Sequence, residues 1–150
     1  MTSLVFRILD THVIHGLADD IAIRDELGTK SYAQLLHESA CIGAGLHHMG
    51  VEAGTHVKVD LPPGRDLVIA VLALARIGGL PSETGDFRLV GTPPVLHAPD
   101  TEVTWDVLDK AGRAEPHPAP ESDPDAYEDR LRGAYPDIIT QLEAGEAISF

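Results

Sequence analysis

Residues 3–15 carry Leu4, Val5, Ile8, Leu9 and Val13 on one helical stripe. Ser3 stands where an N-cap belongs, and Gly16 where a helix stops. Next, Ile21 and Ile23 alternate with polar neighbours, and Glu26-Leu27-Gly28 supplies a turn before Lys30-Ser31-Tyr32, which predicts a small hairpin. From Ala33 to Met49 the spacing is helical again, with Leu35, Ile42, Leu46 and Met49 on one side and Gly50 as the stop. Val57, Val59 and Leu61 alternate with Lys58 and Asp60, as in a strand with unlike faces, and Pro62-Pro63-Gly64 ends that strand.

The stretch Asp66–Ile77 is apolar nearly all round, so as a helix it must be buried on most sides. Asp66 sits favourably at the positive end of its dipole, Gly78-Gly79 closes it, and Leu80-Pro81 begins another extended piece. Strand, helix and return strand form a βαβ unit, which predicts parallel pairing and a right-handed crossover. Beyond Gly85 the pattern is thinner. Phe87–His97 holds one or two short strands broken by Pro93-Pro94, and Thr104–Ala111 is a short helix. Glu115–Asp125, with four prolines and four acids, is an extended solvated linker.

Periodicity returns in the tail. Tyr127, Leu131, Tyr135, Ile138, Ile139 and Leu142 form one stripe, and Pro136 inside it predicts a kink or two abutting helices. The expected organisation is an α/β domain over residues 1–114, the acidic Pro-rich linker 115–125, and an amphipathic helical tail 126–150. The fold class is α/β: a small, mostly parallel sheet with packed helices, an early β-hairpin and a C-terminal helical tail.

Charge narrows the partners. The net charge is −13, and residues 100–150 hold 13 acids against 4 bases. No Lys/Arg cluster is present to neutralise phosphates, which excludes nucleic acid and anionic membrane surfaces as expected partners. The single cysteine, Cys41, rules out an intramolecular disulfide and any multi-cysteine zinc site. The opening residues have no signal-peptide pattern, and the longest apolar run, Leu67–Ala75, is about half a bilayer crossing. A cytoplasmic location is expected.

Three stretches in order carry a family resemblance. Residues 19–51 contain Ser31-Tyr32-Ala33-Gln34-Leu35, similar to a Thr-Tyr-x-Glu-Leu core, followed by a long helix and Gly50-Val51. Residues 50–86 resemble a Gly-Val-x-x-Gly-Asp-x-Val strand and its following helix, with Thr55-His56 at the Asp-Arg-like pair and Arg76-Ile77-Gly78-Gly79 at Lys-x-Gly-Ala. Val103–Leu108 and Ser122-Asp123-Pro124-Asp125 resemble the approach to a nucleotide loop. Together they resemble the start of the AMP-binding (adenylate-forming) acyl-CoA synthetase superfamily. The resemblance implies an N-terminal fragment that stops short of the phosphate-binding loop. Such a loop holds phosphates with backbone N–H groups, whereas Asp125-Ala126-Tyr127-Glu128-Asp129 stands in its place and repels a triphosphate. No catalytic, cofactor-binding or metal residue carries over, and no cofactor is expected.

Other chemistry is weaker still. His12 and His15 sit at i, i+3 without a third ligand at zinc spacing, and His15 fits better as a charge near a helix end. His37, His47 and His48 read as solvated. Gly43-Ala44-Gly45 lies within a helix, where close packing explains it better than dinucleotide binding. Cys41 reads as a half-buried structural thiol, and Ser82 lacks an oxyanion-loop signature. The acid pairs Asp19-Asp20, Asp25-Glu26 and Asp123/Asp125 read as exposed solubilising charges.

The functional expectation is a non-catalytic synthetase-like module, a pseudoenzyme acting in protein interaction or regulation. Its expected partners are a second copy, as a homodimer, and a related acyl-activating enzyme or carrier protein. The tail stripe, Tyr127, Leu131, Tyr135, Ile138, Ile139 and Leu142, is expected to supply core or interface. The alternative is one half of a split adenylate-forming enzyme, or a repurposed acyl- or CoA-binding domain.

Overall fold

The computed structural model describes residues 2–150. They divide into two compact units: the residues up to His37 together with Ala119–Phe150, and Glu38–Pro118.

The first unit opens with the expected helical stretch, wound differently from expectation. It contains two π-helical turns, Phe6–Asp10 and Val13–Leu17, and a break at His15 and Gly16, where Gly16 takes φ 102°. A π turn bonds i to i+5, so a stripe written for α-spacing drifts around it. Leu4, Val5, Ile8 and Leu9 are accordingly buried, while Val13 is only half-buried and Ile14 is exposed. The predicted cap also changes hands. Ser3 is buried and its hydroxyl makes no hydrogen bond among the described residues, whereas the Asp123 carboxylate accepts from the Leu4 amide at 2.8 Å.

The hairpin is present as β1 (Ile21–Asp25) and β2 (Gly28–Ser31), paired antiparallel with a bulge between Ile21 and Ile23. Asp25 accepts from the Leu27 amide at 3.0 Å, an Asx turn that fixes the two-residue loop. Helix α1 (Tyr32–His48) follows, and the boundary between the units falls within it.

In the second unit, β3 (His56–Asp60), α2 (Arg65–Ile77) and β4 (Leu80–Pro81) make the predicted strand–helix–strand series, with β3 and β4 parallel. Every residue of α2 from Val68 to Ile77 is buried, as its all-round apolar sequence demands. Gly78 ends it in the left-handed conformation, φ 76°, and donates to the Leu74 carbonyl.

Beyond β4 come β5 (Phe87–Val90), β6 (Val95–His97), β7 (Glu102–Thr104) and α3 (Trp105–Arg113). The sheet order is β4-β3-β5-β6-β7, with the first three strands parallel and the last two added antiparallel. The parallel part is the βαβ core, and a short meander extends it. Thr104 caps α3 by accepting from the Val107 amide at 3.3 Å.

The tail forms two abutting helices, α4 (Tyr127–Ala134) and α5 (Pro136–Glu143), with Pro136 at the start of the second. A last strand, β8 (Ile148–Ser149), pairs parallel with β1 in the order β2-β1-β8.

Two glycines allow backbone-to-backbone packing between α1 and α3. A Cβ on Gly45 would collide with the Leu108 carbonyl, and one on Gly112 with the Cys41 carbonyl. The close-packing reading of the Gly43-Ala44-Gly45 run thus has its physical cause. Because the obstacle is main chain, it cannot rotate aside. Gly112→Ala is expected to cost about 3 kcal/mol or more, the upper end for overpacking. Gly133→Ala, in α4 where a Cβ meets nothing within 4 Å, is expected to gain about 0.5–1 kcal/mol. Urea unfolding of both variants checks the contrast.

Candidate functional site

The acidic run and the tail stripe converge within the first unit. Tyr127, Leu131, Ile138, Ile139 and Leu142 are buried, and Tyr135 is half-buried. Helix α5 packs against the first π-helical turn and against β8. Each large apolar side chain so buried contributes roughly 1.5–3 kcal/mol, so the stripe dominates the docking of the tail. The structure therefore places five of the six stripe residues in the chain's own core.

Polar contacts set the register of that docking. Beside the Asp123–Leu4 contact, Arg7 pairs with Glu128. Glu128 accepts from Arg132 Nε at 2.9 Å, and Arg132 Nη2 reaches Glu143 at 2.6 Å. His12 Nε2 donates to the Leu142 carbonyl at 2.7 Å, and its ring stands edge-on to Tyr32 with centroids 5.3 Å apart. The Tyr32 hydroxyl donates to the Glu146 carbonyl at 2.7 Å, and the Phe150 amide to the Arg24 carbonyl at 2.9 Å.

Titration follows these surroundings. Burial first, then the nearby Asp20 and Glu146 carboxylates, push the Tyr32 phenol up to about 12. Burial likewise raises Tyr127, with Asp123 adding to it. The Arg7 hydrogen bond, with Arg132 behind it, holds Glu128 below the usual glutamate range.

The other sequence candidates take structural roles. His12 and His15 do not converge, because His15 Nδ1 donates to the Thr11 carbonyl at 2.8 Å while His12 serves Leu142. Cys41 is buried, and burial, then Asp109, push its thiol up against the pull of Arg113. That is the reverse of what a thiolate nucleophile requires. Ser82 accepts from the Thr84 amide at 3.3 Å within a turn. Among the described residues, no three His, Cys, Asp or Glu side chains are grouped to hold a metal ion. No described helix is long and apolar enough to cross a membrane.

One juxtaposition was not visible in the sequence. His47, at the end of α1, meets His117 of the Pro-rich stretch, and both line a cavity of ≈ 510 Å³ with His48 and Glu115. Seventy residues separate the pair, so no local spacing could announce it.

Residues 11–84 match the AMP-binding enzyme family. The acetyl-coenzyme A synthetase of Deinococcus radiodurans is 37% identical over 86 residues, covering 54% of this chain and 13% of that protein. The chloroplastic/glyoxysomal acetyl-coenzyme A synthetase of Arabidopsis thaliana is 36% identical over 88 residues, covering 55% of this chain and 12% of its own length. The chain thus spans about one eighth of the curated relatives it matches.

Among solved structures, a benzoate CoA ligase from Burkholderia xenovorans LB400 superposes with TM-score 0.50 at 17% identity, over 54% of this chain and 16% of that one. The anthranilate CoA ligase AuaEII gives TM-score 0.50 at 19% identity, over 53% and 15%. These two likenesses bear on the fold: the mixed α/β arrangement is that of the N-terminal part of AMP-binding ligases. The AMP-binding stretch runs from the leading helical segment through β4. The acidic run, α4, α5 and β8 lie outside it.

The lowered Glu128 gives a pH signature. A carboxylate depressed by folding stabilises above its unfolded value, about 4.3 for Glu, and loses that contribution as pH falls through its folded value. The pair is solvent-screened, so Glu128→Gln is expected to lose at most about 1 kcal/mol near neutrality. The variant and the parent should converge in acid. Urea melts across pH check this, and parallel curves throughout would contradict it.

Proposed function

We propose that this chain is a non-catalytic acyl-CoA synthetase-like module that works through protein interaction. One observation carries the reading. Residues 122–125, which the resemblance puts at the approach to the phosphate loop, and 125–129, which it puts in that loop's place, hold the leading helix: Asp123 on the Leu4 amide, Tyr127 in the core, and Glu128 on Arg7. The adjoining cavity of ≈ 540 Å³ is lined by Asp123, Asp125, Glu128 and Asp129, with Arg7 the one basic side chain among the described residues of its lining. Phosphate cradles work by aiming several N–H dipoles at one anion. Four carboxylates around an opening do the opposite.

Binding of a related acyl-activating enzyme or carrier protein, in the cytoplasm, belongs to the same proposal, as does self-association. With the tail stripe packed inside, Ile14, Leu27 and Phe150 are exposed large apolar side chains of the first unit, and a homodimer contact through them fits the reading. Light scattering that returns a single-copy mass at every concentration would remove the dimer.

Catalytic inactivity is tested by titrating the chain with ATP·Mg in a calorimeter and by ATP–pyrophosphate exchange. The expected result is no heat of binding and no exchange. Tight nucleotide binding by the chain alone would overturn the proposal. Exchange that appears only on adding a second polypeptide bearing the nucleotide loop would replace it with a split synthetase.

A further inference from the structure

We infer that His47 and His117 form an open two-imidazole site for a divalent transition-metal ion, copper(II) in preference to zinc(II) or nickel(II). The observations lie wholly within the second unit and do not depend on the proposal above.

The first is preorganisation of His117. Its backbone amide donates to the Ala40 carbonyl at 3.0 Å, and its carbonyl accepts from Nη1 of Arg76 at 3.4 Å. Arg76 is itself 1% exposed. The Pro-rich stretch is thus tied at His117 to two helices, α1 and α2, and the neighbouring Pro116 and Pro118 restrict the backbone on both sides.

The second is the tautomer. His117 Nδ1 lies 2.9 Å from the Pro118 carbonyl. A carbonyl only accepts, so Nδ1 must carry the proton, and in the neutral ring the lone pair is on Nε2. A ligating histidine is commonly fixed by such a hydrogen bond from its other nitrogen, which also raises its basicity.

The third is spacing. The His47 and His117 ring centroids are 5.5 Å apart, with the planes at 64°. With metal–nitrogen bonds of roughly 2.0–2.1 Å, two imidazoles on one ion have centroids about 4.5–5.5 Å apart for ligand–metal–ligand angles of about 90–120°. The observed separation sits at the wide end of that range. Uptake of an ion requires His47, which is exposed at the helix end, to turn a ring nitrogen toward Nε2 of His117.

The cavity is also electrostatically suited to a cation. Among the described residues its lining holds Glu115 and His48 and no Lys or Arg, the Arg76 guanidinium being directed to the backbone carbonyl of His117. Because no three ligating side chains are already gathered among the described residues, the site is an open one, its remaining positions filled by water or by swinging of His48 or Glu115. Imidazole suits copper, nickel and zinc, and copper(II) leads the affinity order for a site of given ligands.

The test titrates the full chain with copper(II) and, separately, zinc(II) in a calorimeter. Expected are one equivalent of copper(II) bound, reversal by chelator, and affinity at least tenfold weaker in His117→Ala and in His47→Ala. His15→Ala, whose ring bonds to its own helix, should bind as the parent does. Electron paramagnetic resonance of the copper(II) form should show coupling to two imidazole nitrogens, reduced to one in either variant. Circular dichroism confirms that the variants fold. Absence of stoichiometric binding, or binding undiminished in both variants, would overturn the inference and leave the ring pair as an edge-to-face packing contact.

Discussion

Most of the first unit depends on the return of residues 119–150 to the start of the chain. A leading helical segment and a two-stranded hairpin cannot close a core between them, since an isolated hairpin is at best marginally stable in water. The tail supplies what is missing: two helices bearing the Tyr127–Leu142 stripe, and a strand that occupies the free edge of β1. The apolar stripe provides most of the docking free energy. The polar contacts decide where it docks, because a buried amide such as that of Leu4 must find an acceptor, and Asp123 is that acceptor.

This arrangement gives the acid-rich half of the chain a physical use. Asp123 caps a helix, Glu128 pairs with Arg7 of the leading segment, and Glu143 of α5 pairs with Arg132 of α4. Exposed ion pairs of this kind are individually worth little. Their weight lies in register: they oppose sliding of α4 along its stripe, and they tie up carboxylates that would otherwise repel one another in a chain of net charge −13.

The legible part of the fold was that written in long or strongly patterned segments. The all-round apolar α2, the alternation in β3, the hairpin turn and the proline break between α4 and α5 all follow from local rules. What stayed hidden was short or non-local. Strands β7 and β8 have three and two residues, too few for any period to show. Each π-helical turn spans five residues, too few for its spacing to be told from that of an α-helix. The capping of the Leu4 amide by Asp123 in place of Ser3 joins positions 119 residues apart, and the meeting of His47 with His117 is of the same kind. For the tail stripe, the sequence specified burial without specifying against what. The answer is the chain's own first residues.

The match to AMP-binding enzymes, residues 11–84, does not coincide with either compact unit. It contributes the leading segment, hairpin and first turns of α1 to one, and the rest of α1, β3, α2 and β4 to the other. Each unit is then finished by residues beyond the match: β5–β7 and α3 in the second, and α4, α5 and β8 in the first. Within the second unit, β3 is flanked by β4 on one side and by β5 on the other, so its hydrogen bonding is completed only by an unmatched strand. Gly45 on the matched helix is pressed against Leu108 on an unmatched one. Each unit is thus completed by contacts between residues inside the match and residues outside it.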